Sequence, residues 1–217
     1  MVTRAESAAA TRRALLDAAA ELLDLGGPEA VTLREVGARA GVSRGAPYRH
    51  FTGKESLLIA VTTESWQRIG DQVHALRADP ALSEVSRLRG ALHTLLTVGR
   101  KQPHVYQLLF RCHGHRTEEP AGGVDGARPQ PYGPEDASVT AGLRAAGRFQ
   151  DEFLAIVTEL VGERNTQHYG ALLLSGTHGI ADMELSGHLE ADGLRTTADE
   201  LIDTLVRMVA AVDGSTT

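Results

Sequence analysis

Apolar residues recur along this chain at the three- and four-residue steps of a helix, in one segment after another. Leu15, Ala18, Ala19, Leu22 and Leu23 make the first such stripe and predict a helix over residues 8–25, stopped by Gly26-Gly27-Pro28. Thr32 and Glu35 have the spacing of a capping box, so a short helix begins there. It ends at Ala40-Gly41-Val42, where Gly41 can take the left-handed conformation that closes a helix. Ser43 then caps a second short helix running to about His50. Pro47 is tolerated in its first turn, where the amides have no intrahelical acceptor. Val36, Ala40, Val42 and Phe51 remain to hold the pair together.

Thr52 and Glu55 form another capping box and open a long helix to about Leu76, with Leu58, Val61, Ile69, Val73 and Leu76 on its buried side. Leu82, Val85, Leu88, Leu92, Leu95 and Leu96 mark the next helix, Gln102-Pro103 breaks it, and Val105, Leu108, Leu109 and Cys112 mark a shorter one. From Gly114 to Pro134 there are four prolines and five glycines and no period, which predicts a long loop. Helix resumes from Glu135 to Val161. The segment His168 to Leu189 is helical again, with small residues at Ser175, Gly176 and Gly179 that imply close approach to another helix. Thr197 and Glu200 cap a last helix bearing Leu201, Ile202, Leu205, Val206, Val209 and Val212. The fold class is all-α.

Two short helices joined by a tight glycine turn form a helix-turn-helix, whose second helix can lie in the major groove of DNA. A plain helical hairpin in a bundle has the same pattern. The residues suit DNA. Arg44 opens the second helix with slim Gly45 and Ala46 behind it, and Tyr48 and Arg49 follow one turn on. Arg44, Gly45, Ala46 and Arg49 are expected to face base edges, and Thr32, Ser43, Tyr48, His50 and Lys54 to position the helix on phosphates, with Arg34 in the same DNA-binding set. Lys54 adds its charge to the positive end of a helix dipole.

From Thr11 to about Leu58 the chain closely resembles the DNA-binding domain of the tetracycline-repressor (TetR) family. The matching residues are the alanine- and leucine-rich first helix, Gly26-Gly27, Val31-Thr32-Leu33-Arg34-Glu35-Val36, Ala40-Gly41-Val42-Ser43, Tyr48-Arg49-His50-Phe51 and Lys54-Glu55-Ser56-Leu57. Pro47 departs from the aliphatic residue or threonine more usual at that place. The resemblance implies an N-terminal three-helix helix-turn-helix domain (9–69, motif 32–51) joined by a long fourth helix to a helical ligand-binding and dimerisation domain (70–217). It further implies a transcriptional regulator, most readily a repressor, that binds double-stranded operator DNA as a homodimer through its last two helices. A hairpin closed within one chain is the alternative for those helices. Half-sites of an inverted repeat would lie about 34 to 36 Å apart or more. A small-molecule effector would act through the fourth helix, and must prefer the DNA-incompetent state. Arg4, Arg12 and Arg13 would touch the DNA backbone, or form a solvated tail. Thr177-His178-Gly179 resembles a signature of one group of C-terminal domains in the family.

Composition refines this picture. Of 217 residues, 42% are hydrophobic and 23% charged, an ordinary globular balance. No window approaches the roughly 18 apolar residues that cross a bilayer, and the start lacks the apolar run of a signal peptide. Cys112 is the only cysteine, so no disulfide can close within the chain. A cytoplasmic protein without membrane contact is expected. The formal charge of -6 divides unevenly: residues 1–54 hold eight Lys or Arg against six Asp or Glu, and residues 55–217 hold 14 against 22. A modestly basic head on an acidic body orients the head to phosphate, but so small a charge cannot carry tight binding alone.

No phosphate loop, nucleophile elbow or zinc-protease motif is present, so neither an enzyme nor a cofactor is expected. Cys112, His113 and His115, followed by Glu118 and Glu119, are the one crowding of metal ligands; they permit a metal- or thiol-responsive regulator, or simply a polar helix end. Trp66, His93, Tyr106, Phe110, Phe149, Phe153, Tyr169 and His178 are the candidates for an effector pocket between helices, with core packing as the alternative for each. A helical enzyme or scavenging ligand-binding protein that keeps the head as a scaffold is a second class, without an acid, base or nucleophile set to support it.

Overall fold

In the computed structural model, which describes residues 3–111, 137–191 and 194–211, the first helix α1 (Arg4–Ala30) starts a turn before Ala8. Thr3 and Glu6 cap each other there: the Thr3 hydroxyl accepts from the Glu6 amide at 3.2 Å, and the Glu6 carboxylate accepts from the Thr3 amide at 2.6 Å. The expected stop at Gly26-Gly27-Pro28 is a kink, with Gly27 at φ +68°, followed by one more turn. α2 (Leu33–Arg39) begins with half of the expected box, since the Thr32 hydroxyl accepts from the Glu35 amide at 3.2 Å while the Glu35 carboxylate turns to Arg34 at 3.9 Å. Its end is a Schellman motif. Gly41 takes φ +66°, its amide donates to the Ala38 carbonyl, and the Val42 amide reaches back to the Gly37 carbonyl.

α3 (Ala46–His50) is shorter than expected and is not capped by Ser43. The Ala46 amide that such a cap would satisfy donates instead to the Ser43 carbonyl at 2.9 Å, so residues 44 and 45 form a turn and Gly45 stands at the helix start. α4 (Lys54–Ala78) also starts differently. In place of a Thr52–Glu55 box, the Ser56 hydroxyl accepts from the Gly53 amide at 3.2 Å and donates to the Gly53 carbonyl at 2.9 Å. Leu57 is the residue buried here, and Leu58 is half-buried.

The remaining helices are α5 (Glu84–Lys101), α6 (Pro103–Arg111), α7 (Ala137–Val161), α8 (Thr166–Leu185), α9 (His188–Ala191) and α10 (Ala198–Ala210), and no strand occurs among the described residues. The single helix expected over 168–189 is two, α8 and α9, because Gly187 takes φ +76° after the Ser186 amide has closed on the Asp182 carbonyl. The Thr197–Glu200 box forms in both directions, at 3.2 and 2.9 Å. Cys112, His113, His115, Glu118, Glu119, the 114–134 loop and Val212 lie outside the described residues.

Packing divides the chain into two units, Met1–Glu64 with His104–Arg144, and Ser65–Pro103 with Ala145–Thr217. Each joins two stretches of sequence. In the first, α1, α2 and α3 pack on one another, with Leu15, Leu23, Val36 and Leu57 fully buried. In the second, α5, α8 and α10 pack mutually, with Leu88, Leu92, Leu173, Ile202 and Val206 fully buried. The small residues of α8 serve this intrachain packing in part. A Cβ on Gly170 would stand 2.5 Å from Leu154 Cδ2, and one on Gly176 3.0 Å from Leu205 Cδ1, whereas one on Gly179 would meet nothing within 4 Å.

Ion pairs between distant segments tie the second unit together. Arg100 of α5 bridges Glu184 of α8 at 2.7 Å and Asp199 of α10 at 2.6 Å, and Arg89 reaches Asp203 at 2.7 Å. Glu152 of α7 receives both His74 and Arg77 of α4. Burial disfavours its charge, but hydrogen bonds from Arg77 and His74 outweigh that and hold its pKa below the ordinary 4.5. A carboxyl depressed in the folded state stabilises above its unfolded pKa, and that contribution is lost as pH falls. Urea midpoints followed from about pH 6 to about pH 3 should therefore decline more steeply, below the ordinary carboxyl value of 4.5, for the wild type than for Glu152→Gln.

Candidate DNA-binding face and body groove

The face of the head is made by what α2 and α3 leave outside. Arg44, Gly45 and Arg49 are exposed, Tyr48 is 63% exposed, and His50 is half-buried. Ala46 is the exception among the residues expected to face base edges. It is only 2% exposed, because the late start of α3 turns its methyl into the head. Pro47 is buried as well, and a Cβ placed on Gly37 of α2 would lie 2.8 Å from its Cγ. The proline therefore acts as the contact that sets how closely α3 approaches α2.

Arg34, Arg44 and Tyr48 line one concavity of about 600 Å³ between the two helices, with Ala38 and Val42 at its floor and Glu35 at its edge. Arg34 extends into solvent with its side chain 88% exposed. Thr32 and Ser43 are exposed at the two helix starts. Lys54 stands at the first residue of α4, its ammonium 3.8 Å from Glu29, a loose pairing that a phosphate can replace. The arginines of α1 divide. Arg12 lies over the Phe51 ring at 5.5 Å, Arg13 is engaged by Glu64 at 3.0 Å and Asp17 at 3.4 Å, and Arg4 is exposed.

The aromatic candidates in the body form a packed ladder. Trp66 sits 5.2 Å from Phe149 and Phe149 stacks 5.9 Å from Phe153, all three at most 5% exposed. In the other unit Tyr106 and Phe110 are 4.9 Å apart, with Tyr106 buried. Tyr169 meets His168 edge-on at 5.6 Å, His178 is half-buried, and its neighbour Thr177 is fully buried, its hydroxyl without a hydrogen-bond partner among the described residues. His93 faces α10, 3.2 Å from Asp199.

None of these eight lines the groove found along α4 and α5, a space of about 340 Å³ bounded by Ser65, Arg68, Gln72, Thr94, Thr97 and Lys101 over a floor of Ile69 and Val98. The signal for it was in the sequence as polar residues at helical spacing on both helices. The same pattern describes a solvated face. Among the described residues no group of three metal-ligating side chains occurs and no helix is long and apolar enough to cross a membrane.

A three-helix head with an exposed basic recognition helix, followed by a helical body, defines a class of bacterial regulator. The model of bacterial regulatory proteins of the tetR family matches residues 15–61, and that of the tetracyclin repressor-like C-terminal domain matches residues 88–209, more than half of the chain. The chain belongs to the tetR family of transcriptional regulators.

It is 29% identical over 101 residues to the HTH-type transcriptional repressor KstR of Rhodococcus jostii, covering 46% of each protein. It is 44% identical over 57 residues to an uncharacterized HTH-type transcriptional regulator, TtgW, of Pseudomonas putida, covering 26% of this chain and 42% of that one. The matched stretch spans less than half the length of either curated relative. A solved structure of a protein of unknown function from Rhodococcus sp. RHA1 shares the fold, with a TM-score of 0.71 at 19% identity over 93% of this chain and 94% of that one.

Proposed function

We propose that the protein is a cytoplasmic transcriptional repressor that binds an inverted-repeat operator as a homodimer and is controlled by a small-molecule effector. The observation that carries this reading is the slim, basic outer side of the helix-turn-helix: Arg44 and Arg49 exposed around Gly45, where a Cβ would meet nothing within 4 Å. Arg44, Gly45 and Arg49 read base edges. Thr32, Arg34, Ser43, Tyr48, His50 and Lys54 set the helix on the phosphates. Residues 9–69 serve as the DNA-binding domain and 70–217 as the effector-binding and dimerisation domain.

The dimer is supported by apolar side chains left outside on α8 and α10. Leu172 is 46% exposed, Met183 37% and Met208 64%. Leu172, Gly179 and Met183 lie on one side of α8 at helical spacing, and a second copy of this surface would cover them. A single five-residue recognition helix reads too few bases for specificity, and a two-fold dimer doubles the site.

The test is titration of DNA from beside the gene at two salt concentrations, against random competitor. Arg44→Ala is expected to lose about 1 to 3 kcal/mol of preference for operator over random DNA, while Lys54→Ala weakens both alike and flattens the salt dependence. Unchanged preference in Arg44→Ala would remove Arg44 and the turn before α3 from the reading role.

A further inference from the structure

The groove along α4 and α5 continues past its first chamber. A second space of about 390 Å³ shares Gln72 and Thr94 with it and extends to Ala75, Leu76 and Asp79. The two form one trench along the seam of two antiparallel helices, for Leu76 of α4 lies against Gly90 early in α5, while Ser65 and Arg68 lie opposite Lys101 at its end. The trench is polarised. Arg68 and Lys101 stand at one end, hydroxyls and an amide at mid-length, aliphatic Ala75 and Leu76 beyond, and Asp79 at the far end, its carboxylate accepting from the Ala81 amide at 2.9 Å.

The cationic end stands in an otherwise acidic body. Residues 55–217 carry a formal charge of -8, from 14 basic and 22 acidic residues, and the nearby arginines 77, 87, 89, 100 and 148 are each paired with a carboxylate. Arg68 and Lys101 have no carboxylate partner among the described residues. The Arg68 guanidinium donates to the Ser65 hydroxyl at 3.2 Å, which aims it along the trench wall. Two unneutralised cations at the mouth of a partly apolar groove fit one anionic head, by charge-assisted hydrogen bonds.

We propose that this trench binds an amphipathic monocarboxylate, its head between Arg68 and Lys101 and its chain running over Ile69 towards Ala75 and Leu76. Eight residues of helix from Arg68 to Leu76 span about 12 Å at 1.5 Å rise per residue, the reach of an extended chain of about ten carbons. Asp79 excludes a second carboxylate at the tail by like-charge repulsion. That such binding controls DNA rests on the regulatory reading above; the binding itself does not.

Titration calorimetry of the full chain with decanoate, decanamide and decanedioate, each as a monomer in solution, tests it. Decanoate is expected to bind, the amide and the diacid about tenfold or more weakly, and Arg68→Gln/Lys101→Gln to erase the preference for decanoate over decanamide. Both side chains are exposed, so the double variant should keep its circular dichroism spectrum and thermal midpoint. Absence of decanoate binding, equal binding of acid and amide, or a preference that survives the double substitution overturns the assignment. Operator affinity is then read with saturating decanoate. Release of DNA supports both readings. Carboxylate-selective binding with DNA affinity unchanged supports the trench and overturns control of DNA from this site.

Discussion

Phe153→Ala is expected to lower folding stability by about 3 to 5 kcal/mol. Phe153 is fully buried, stacks on Phe149 at 5.9 Å, and presents its Cε1 edge to α8, 4.0 Å from where a Cβ on Gly170 would stand. Truncation removes a whole ring from water-free surroundings, between Phe149 on its own helix and the Gly170 backbone of α8, and helix backbones cannot close the gap fully. Urea unfolding should show the midpoint falling with the slope unchanged. A small apolar probe such as benzene should recover part of the loss in the variant and none in the wild type, since a dry apolar cavity binds such molecules. A cost below about 1 kcal/mol would mean that the ladder collapses freely, and that the ring is not fixed by its neighbours. The experiment also separates two roles for these aromatics. A ring that fills the core gives a stability loss, whereas a ring lining a ligand space costs little until ligand is present.

Gly37→Ala sets helix propensity against packing. Gly37 lies inside α2, where glycine to alanine favours a helix by about 1 kcal/mol on propensity alone. The added Cβ would stand 2.8 Å from Pro47 Cγ, closer than real Cβ atoms approach, and a proline ring cannot swing aside as a flexible side-chain end does. Overpacking of this kind costs about 1 to 3 kcal/mol, so the clash should win and Gly37→Ala should be destabilising. It should also weaken operator binding more than random binding, because relief requires α3 to move off α2 and takes Arg44 and Arg49 with it. The control is Pro47→Ala. Once the ring is gone, adding Gly37→Ala should be neutral or stabilising, with a coupling of about 0.5 to 3 kcal/mol between the two sites. Additive losses would mean that the ring and the glycine do not oppose each other.

This pair shows how far the head was legible beforehand. The glycine turn, the Thr32 cap and the exposure of Arg44 and Arg49 follow from residues within a few positions of one another, and they hold in the structure. The start of α3 does not follow so simply. Ser43 and Gly45 are both acceptable at a helix start, and the choice fell to Gly45 when the Ser43 carbonyl took the Ala46 amide. That shift in α3 turned Ala46 from the expected outer face to the core, since in so short a helix each residue's direction depends on where the helix begins.

The body was legible as helices and much less as surfaces. Polar residues at steps of three and four on α4 and α5 describe a solvated stripe as well as they describe a trench wall. Only the packing of the two helices side by side made them face one another. Likewise Trp66, Phe149 and Phe153 suited either a pocket or a core, and became a core by stacking. Helix type, caps and the glycine turn were settled locally, because a backbone hydrogen bond in a helix joins residues four apart and a glycine's φ is its own. Burial, charge pairing and cavities were settled by residues far apart in sequence, such as Arg77 with Glu152, 75 positions away, and Arg100 with Asp199, 99 positions away. Local pattern leaves many such pairings open, and close packing of the whole body selects among them.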